Sequence, residues 1–172
     1  MKSKAAATLL ATTILMAMPA AGEYVTAMSG LVIRDGPGTE FEQVGLLGFS
    51  DEVDGEITDG WMKIENGYVS ADYLSSEDPL DECQYLGNWR VTAYASTGCK
   101  TASGTWPEVG CTLATNDLPF GALVFVRGYG TWRVEDRGPQ SMGSAWCDLF
   151  LGDTDTCISF GEKRLEIYLL SK

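Results

Sequence analysis

Apolar and polar positions in this chain alternate over short stretches that are cut by glycine-rich turns. A helical period is almost absent. "LVIRDGPGTEF" puts Leu31 and Ile33 on one side and then turns through Asp35-Gly36-Pro37-Gly38. "QVGLLGFSDEVDGEI" adds two short apolar runs around glycines. "DGWMKIENGYVSADYL" carries the hairpin dipeptides Asp59-Gly60 and Asn66-Gly67 on either side of its apolar runs. Together these predict a small barrel of about five strands over residues 23–75, with Trp61 packed in its core. The polar, acidic stretch "SSEDPLDEC" then predicts a linker, set at residues 76–86.

The second half, residues 87–172, is again mostly strands. "NWRVTAYAS" sets Trp89, Val91 and Ala93 against Arg90, Thr92 and Tyr94. "ALVFVRGYGTWRVED" reads as a hairpin turning at Gly128-Tyr129-Gly130, and "AWCDLFL" and "RLEIYLL" read as two further strands. Only "GDTDTCISFGEK" is helical in pattern, with Asp153 or Thr154 as the cap and Gly161 as the stop. The fold class is therefore all-β: a small barrel, then a compact second barrel with one short helix.

Residues 1–22 fall outside this pattern. Lys2 and Lys4, an apolar run and small residues at Ala20, Ala21 and Gly22 make a secretory leader with cleavage expected near Gly22. No cysteine follows the run, so no lipoprotein anchor and no stable membrane attachment is expected. The protein is expected outside the cell or in its wall. Setting aside Lys2 and Lys4 leaves 10 of the 12 basic residues against 24 acidic ones, a net charge of −14. Such a surface repels phosphate backbones, which excludes nucleic acid as a partner. Cys83, Cys99, Cys111, Cys147 and Cys157 all lie in the second half. In an oxidising compartment they read as disulfides with one thiol left over. Cys99 with Cys111 and Cys147 with Cys157 would close short loops worth roughly 2–3 kcal/mol each, and buried free thiols are the competing reading.

The chain has no histidine. Cysteine–histidine peptidases, serine–histidine–aspartate triads and histidine-ligated zinc hydrolases are all excluded. Carboxylate chemistry remains, and it suits glycosidic bonds. Asp136 and Asp148 stand twelve positions apart in "VEDRGPQSMGSAWCDLFLG". In a strand, Trp146, Asp148 and Phe150 share one face, while Cys147, Leu149 and Leu151 share the other. Aromatic walls keep water from Asp148 and raise its pKa from the reference near ~3.9, so that it can act as an acid and then as a base. The same rings would offer flat faces to a sugar.

The N-terminal half resembles a bacterial SH3-like domain in "VIRDGPGTEF", "GWMKI" and "NGYVSADYL". That resemblance implies a module that binds wall peptide or glycan. The second half is similar to the three-aspartate (3D) domain family and to the barrel of the membrane-bound lytic transglycosylase A family. The matching segments are "RVTAYAS", "KTASG", "LATNDLPFGALVFVRGYG", "RVEDRG", "CDLFL" and "ISFGEKRLEIYLL". The resemblance implies a six-stranded double-psi β-barrel that cleaves peptidoglycan between N-acetylmuramic acid and N-acetylglucosamine, using the sugar's 6-hydroxyl and leaving a 1,6-anhydro end. It implies that Asp148 is the acid/base and that Asp136 lies in the cleft. Thr92, Tyr94, Thr101 and Ser103 fall where the family lines its groove, which implies sugar hydrogen-bonders, with plain strand and turn residues as the alternative. In the shortened segment "ATNDLPFG" either Asn116 or Asp117 fills the first aspartate's place, with Asp117 preferred. "RGPQSMGSAW" departs from the family's turn, and Arg137, if it folds back onto Asp136, would hold it ionised as an electrostatic stabiliser. Trp146 and Phe150 complete the substrate-binding set. No metal or organic cofactor is required. The rival readings are a non-catalytic, expansin-like wall-binding protein on the same barrel and a hydrolase that admits water.

Overall fold

The computed structural model describes residues 22–171. The leader therefore lies outside the described residues, apart from Gly22. Eight short strands come first: β1 (Glu23–Val25), β2 (Leu31–Arg34), β3 (Gln43–Leu47), β4 (Glu52–Val53), β5 (Glu56–Thr58), β6 (Trp61–Ile64), β7 (Gly67–Ser70) and β8 (Leu74–Ser75). They form a sheet ordered β4-β1-β8 and another ordered β3-β2-β7-β6-β5. Val25, Leu31, Ile33, Val53, Met62 and Val69 make one shared core between them.

Two sequence expectations shift here. Met62 faces this core, while Trp61 on the opposite face of β6 is only half-buried, because alternation admits one of two neighbours. Asp59-Gly60 does form a two-residue hairpin turn, with φ of 51° and 81° and Thr58 paired to Trp61. At the next hairpin Ile64 pairs with Gly67, so Glu65-Asn66 is the turn and Gly67 begins β7. A side chain at Gly67 would strike the Arg34 carbonyl.

The chain then enters a closed barrel. Its strands are β9 (Gln84–Ala95), β10 (Thr112–Ala114), β11 (Leu123–Val126), β12 (Gly130–Asp136), β13 (Trp146–Gly152) and β14 (Lys163–Ser171), with the helix α1 (Thr154–Phe160) between the last two. Their order round the barrel is β10-β12-β11-β14-β9-β13. β10 with β12 and β13 with β9 run parallel, and the other pairs are antiparallel. Asp153 caps α1 by accepting from the Thr156 amide, and Gly161 ends it at φ 66°. Trp89, Val91, Leu113, Trp132, Val134 and Leu149 are among the side chains that fill the interior. The two indoles of this interior are satisfied: Trp89 donates to the Leu86 carbonyl and Trp132 to that of Tyr129. Among the described residues no helix is long and apolar enough to cross a membrane.

All five cysteines are free thiols, which corrects the disulfide expectation. Strand alternation turns Cys147 into the barrel interior beside Leu149. Burial pushes its thiol up to about 12 and so withholds the thiolate that disulfide exchange needs.

The acidic linker is a packed connection. Leu80 is buried against Phe49, from the turn after β3, and Phe125 of β11, with Tyr168 of β14 beside them. The Phe49 and Phe125 rings meet edge-on, 5.5 Å between centroids. Asp78 Oδ1 accepts from the Ser50 hydroxyl at 2.6 Å and the Leu80 amide at 2.9 Å. Phe49→Ala would leave a cavity in this seam and should cost about 3 kcal/mol in a urea unfolding measurement. Unchanged stability would mean that the seam is not a joint core.

Candidate active site

The outward face of β9 carries Arg90, Thr92 and Tyr94, since Trp89, Val91 and Ala93 point into the barrel. Parallel pairing sets Thr92 level with Asp148 and Tyr94 level with Phe150. Asp148 is in turn level with Ala114 of β10, and Ala114 with Asp136 of β12. One row therefore runs Thr92, Asp148, Ala114, Asp136 across four adjacent strands. The two carboxylates are separated by a single alanine, with their backbones roughly 10 Å apart by strand spacing.

Asp136 reaches this row through an irregularity. Simple alternation along β12 would turn it inward after Trp132 and Val134. The register shifts between Leu113 and Ala114, so Val134 pairs with Leu113 and Asp136 with Ala114. The extra residue on β12 re-aims Asp136 to the outer face.

Asp148 is half-buried, and burial is the main cause of its raised pKa. The Thr92 hydrogen bond opposes the shift, the Asp136 charge adds to it, and Arg90 opposes it. The hydrogen-bond directions follow from donor chemistry. Trp146 Nε1 lies 3.1 Å from Thr92 Oγ1, and an indole N–H can only donate. Thr92 must accept there, so its own hydrogen goes to Asp148 Oδ1 at 2.7 Å. With Oδ1 taken as an acceptor, an acid proton on Asp148 sits on Oδ2.

Trp146 and Phe150 are 1% and 5% exposed. They are walls beside the carboxyl group and offer no open face to a sugar, contrary to that part of the sequence reading. The Phe150 ring instead packs on Tyr94, with centroids 5.2 Å apart.

Asp136 collects three donors. The amides of Ala102 (2.8 Å) and Arg137 (2.9 Å) point at Oδ1, and the Tyr94 hydroxyl is 3.2 Å from Oδ2. Burial first, and then the Asp136 charge, push the Tyr94 phenol well above its ordinary pKa, which keeps it a donor. Arg137 does not meet the condition for holding Asp136 ionised, because it does not fold onto the carboxylate. Its guanidinium donates to the Thr115 carbonyl at 2.7 Å and stacks on Phe120, 3.7 Å from the ring centroid.

Thr101 and Ser103 join Thr105 in a hydroxyl cluster, each pair 2.9–3.1 Å apart. Thr101 is buried and Ser103 exposed. Their loop is tied to β12 by the Ala102 amide and by Ser103 N to the Glu135 carbonyl at 3.0 Å. Asp117 stands apart from the row. It is exposed, and its Oδ2 accepts from the Ala145 amide at 2.7 Å, just before β13. Ala145 has φ 54°, so Asp117 braces a strained residue rather than joining the carboxylate pair. Among the described residues no group of three or more potential metal ligands converges.

Two features escape pattern reading. The Ala102 amide leaves no trace in residue type. Gly138 has a role only in three dimensions, because a side chain there would strike the Trp146 ring.

Fold and site together define an all-β protein with a closed six-stranded barrel that holds a desolvated aspartic acid level with a second, hydrogen-bonded aspartate. No family model, curated protein or solved structure matches this chain.

Gly138→Ala should displace the Trp146 indole, free the Thr92 hydroxyl and cost about 1–3 kcal/mol in urea unfolding, the usual range for overpacking. A neutral result would contradict the packed Gly138–Trp146 contact. A raised carboxyl pKa means that the native state holds its proton more tightly than the unfolded chain. The native protein then loses stability as pH climbs from the unfolded carboxyl pKa through the folded value. Asp148→Asn keeps an oxygen for Thr92 and removes this cost. The variant should melt higher than the parent at neutral pH, with the advantage shrinking as pH falls to that of the unfolded carboxyl group. A lower melting temperature at neutral pH would contradict the desolvation argument.

Proposed function

We propose that this protein is a secreted peptidoglycan-cleaving enzyme of the lytic transglycosylase type, with Asp148 as its acid and base. The observation that carries this reading is the half-buried Asp148. Its Oδ1 is occupied by Thr92, its pKa is raised, and it stands in one row with Asp136. Asp148 Oδ2 gives its proton to the glycosidic oxygen as the bond from the muramyl C1 to that oxygen breaks. Positive charge develops on the muramyl ring, and the Asp136 carboxylate stabilises it. The muramyl 6-hydroxyl then attacks C1 and returns its proton to Asp148, which closes the 1,6-anhydro ring and regenerates the acid.

The distribution of donors supports this division of labour. A retaining glycosidase places its nucleophilic carboxylate about 5–5.5 Å from the acid. Here a strand intervenes, and both oxygens of Asp136 are engaged by donors. That arrangement suits a stationary charge better than a nucleophile.

The two parallel strand pairs of the barrel support the double-psi reading. The separate core of the N-terminal sheets supports an SH3-like module that carries the barrel to wall peptide or glycan. Secretion rests on the leader. Among the described residues the first strand begins at Glu23, so cleavage near Gly22 leaves every described strand intact.

Mass spectrometry of digested peptidoglycan tests this reading. The parent protein should release 1,6-anhydro ends. Asp148→Asn should lower their rate of release by at least about a hundredfold, as expected for loss of a general acid. Reducing ends would indicate a hydrolase. No products from the parent would leave a wall-binding protein.

A further inference from the structure

Trp146 and Phe150 are buried and present a sugar ring with no open aromatic face. One lies on the loop that holds Asp136. Trp106 is 61% exposed and lines a cleft of about 510 Å³ with Lys100, Thr105, Glu108, Arg133 and Glu135. That volume lies within the roughly 300–1,000 Å³ typical of small-molecule sites. The loop that carries Trp106 is tied to Asp136 and its neighbour. Ala102, four residues before Trp106, donates its amide to Asp136, and Ser103 is bonded to the backbone of Glu135.

We propose that this cleft is a glycan subsite in which Trp106 stacks on a sugar ring and Arg133, with Lys100, receives a carboxylate borne by that sugar chain. The inference rests on reading Asp148 and Asp136 as a glycan-cleaving pair.

Charge supports a carboxylated occupant. Lys100 and Arg133 are two of only 10 basic residues after the leader, set against 24 acidic ones. Among the described residues the ion pairs are Arg90–Glu162 and Arg127–Glu166, so neither cleft cation is neutralised by one. Glu135 is held down, because its Oε2 accepts the Thr112 hydroxyl at 2.6 Å. An anionic glycan is repelled by most of this surface; the cleft also carries Glu108 and Glu135, but it offers two cations outside any ion pair beside an aromatic face. Where the stem peptide is absent, the lactyl ether of N-acetylmuramic acid supplies such a carboxylate, and N-acetylglucosamine does not, so the occupant is peptide-free glycan. The cleft would therefore set which sugar occupies the position beside Asp136.

The test uses full-length protein carrying Asp148→Asn, so that no substrate is consumed. Calorimetry measures binding of peptide-free oligomers of alternating N-acetylglucosamine and N-acetylmuramic acid, and of chitooligosaccharides of equal length. The muramyl oligomer should bind more tightly. Adding Trp106→Ala should weaken both about tenfold or more. Adding Lys100→Ala and Arg133→Ala together should lower muramyl binding to the level of the chitooligosaccharide. These three side chains lie outside the core, and matching circular dichroism checks that the variants fold. The subsite is overturned if Trp106→Ala binds like its parent, if the preference survives loss of both cations, or if neither oligomer binds. Binding through Trp106 without cleavage by the unmodified protein would sink the enzyme reading alone. Cleavage indifferent to Trp106 would sink the subsite alone.

Discussion

The account depends on the hydrogen bond from Thr92 to Asp148 across the parallel pair β9–β13. A carboxyl group taken from water resists ionisation, yet a donor aimed at it favours the anion. Asp148 lives under both influences, and burial is the larger. The Thr92 bond sets geometry as well as energy. With the Trp146 indole fixing the direction of the hydroxyl, Oδ1 of Asp148 is occupied and an acid proton would sit on the other oxygen.

The rest of the barrel maintains that contact. Gly138 leaves room for the Trp146 ring, and Ala114 is small enough to lie between two carboxylates without covering them. The irregular register of β12 brings Asp136 to the outer face, where the Ala102 and Arg137 amides and Tyr94 hold it. Asp117 acts at a distance by fixing the residue before β13. The placement of the Asp148 side chain thus draws on β9, β13 and the connections on either side of β10 and β12.

Much of this was legible in the sequence, for physical reasons that can be named. Alternation along "NWRVTAYAS" and "AWCDLFL" assigned both faces of β9 and β13, because strand side chains follow a period of two. The α1 cap and stop were visible because they depend on neighbouring residues alone. Asp136 was recognised for its type, but its face was not legible, because a register shift is a property of two strands. The same limit hid the burial of Trp146 and Phe150, the free state of the cysteines and the true contacts of Arg137. Residue type told what each could do, and only the folded neighbours decided what each does. Trp61 and Met62 make the point within one strand, since adjacent apolar residues cannot both face the same core.

The most direct measurement is an NMR titration of the Asp148 side-chain carboxyl carbon in the native protein. The account predicts a midpoint above that of an exposed aspartate, lowered towards it in unfolded protein. A midpoint at or below that of an exposed aspartate would mean that Asp148 is already ionised wherever the fold is intact, and the acid chemistry assigned to it would be contradicted.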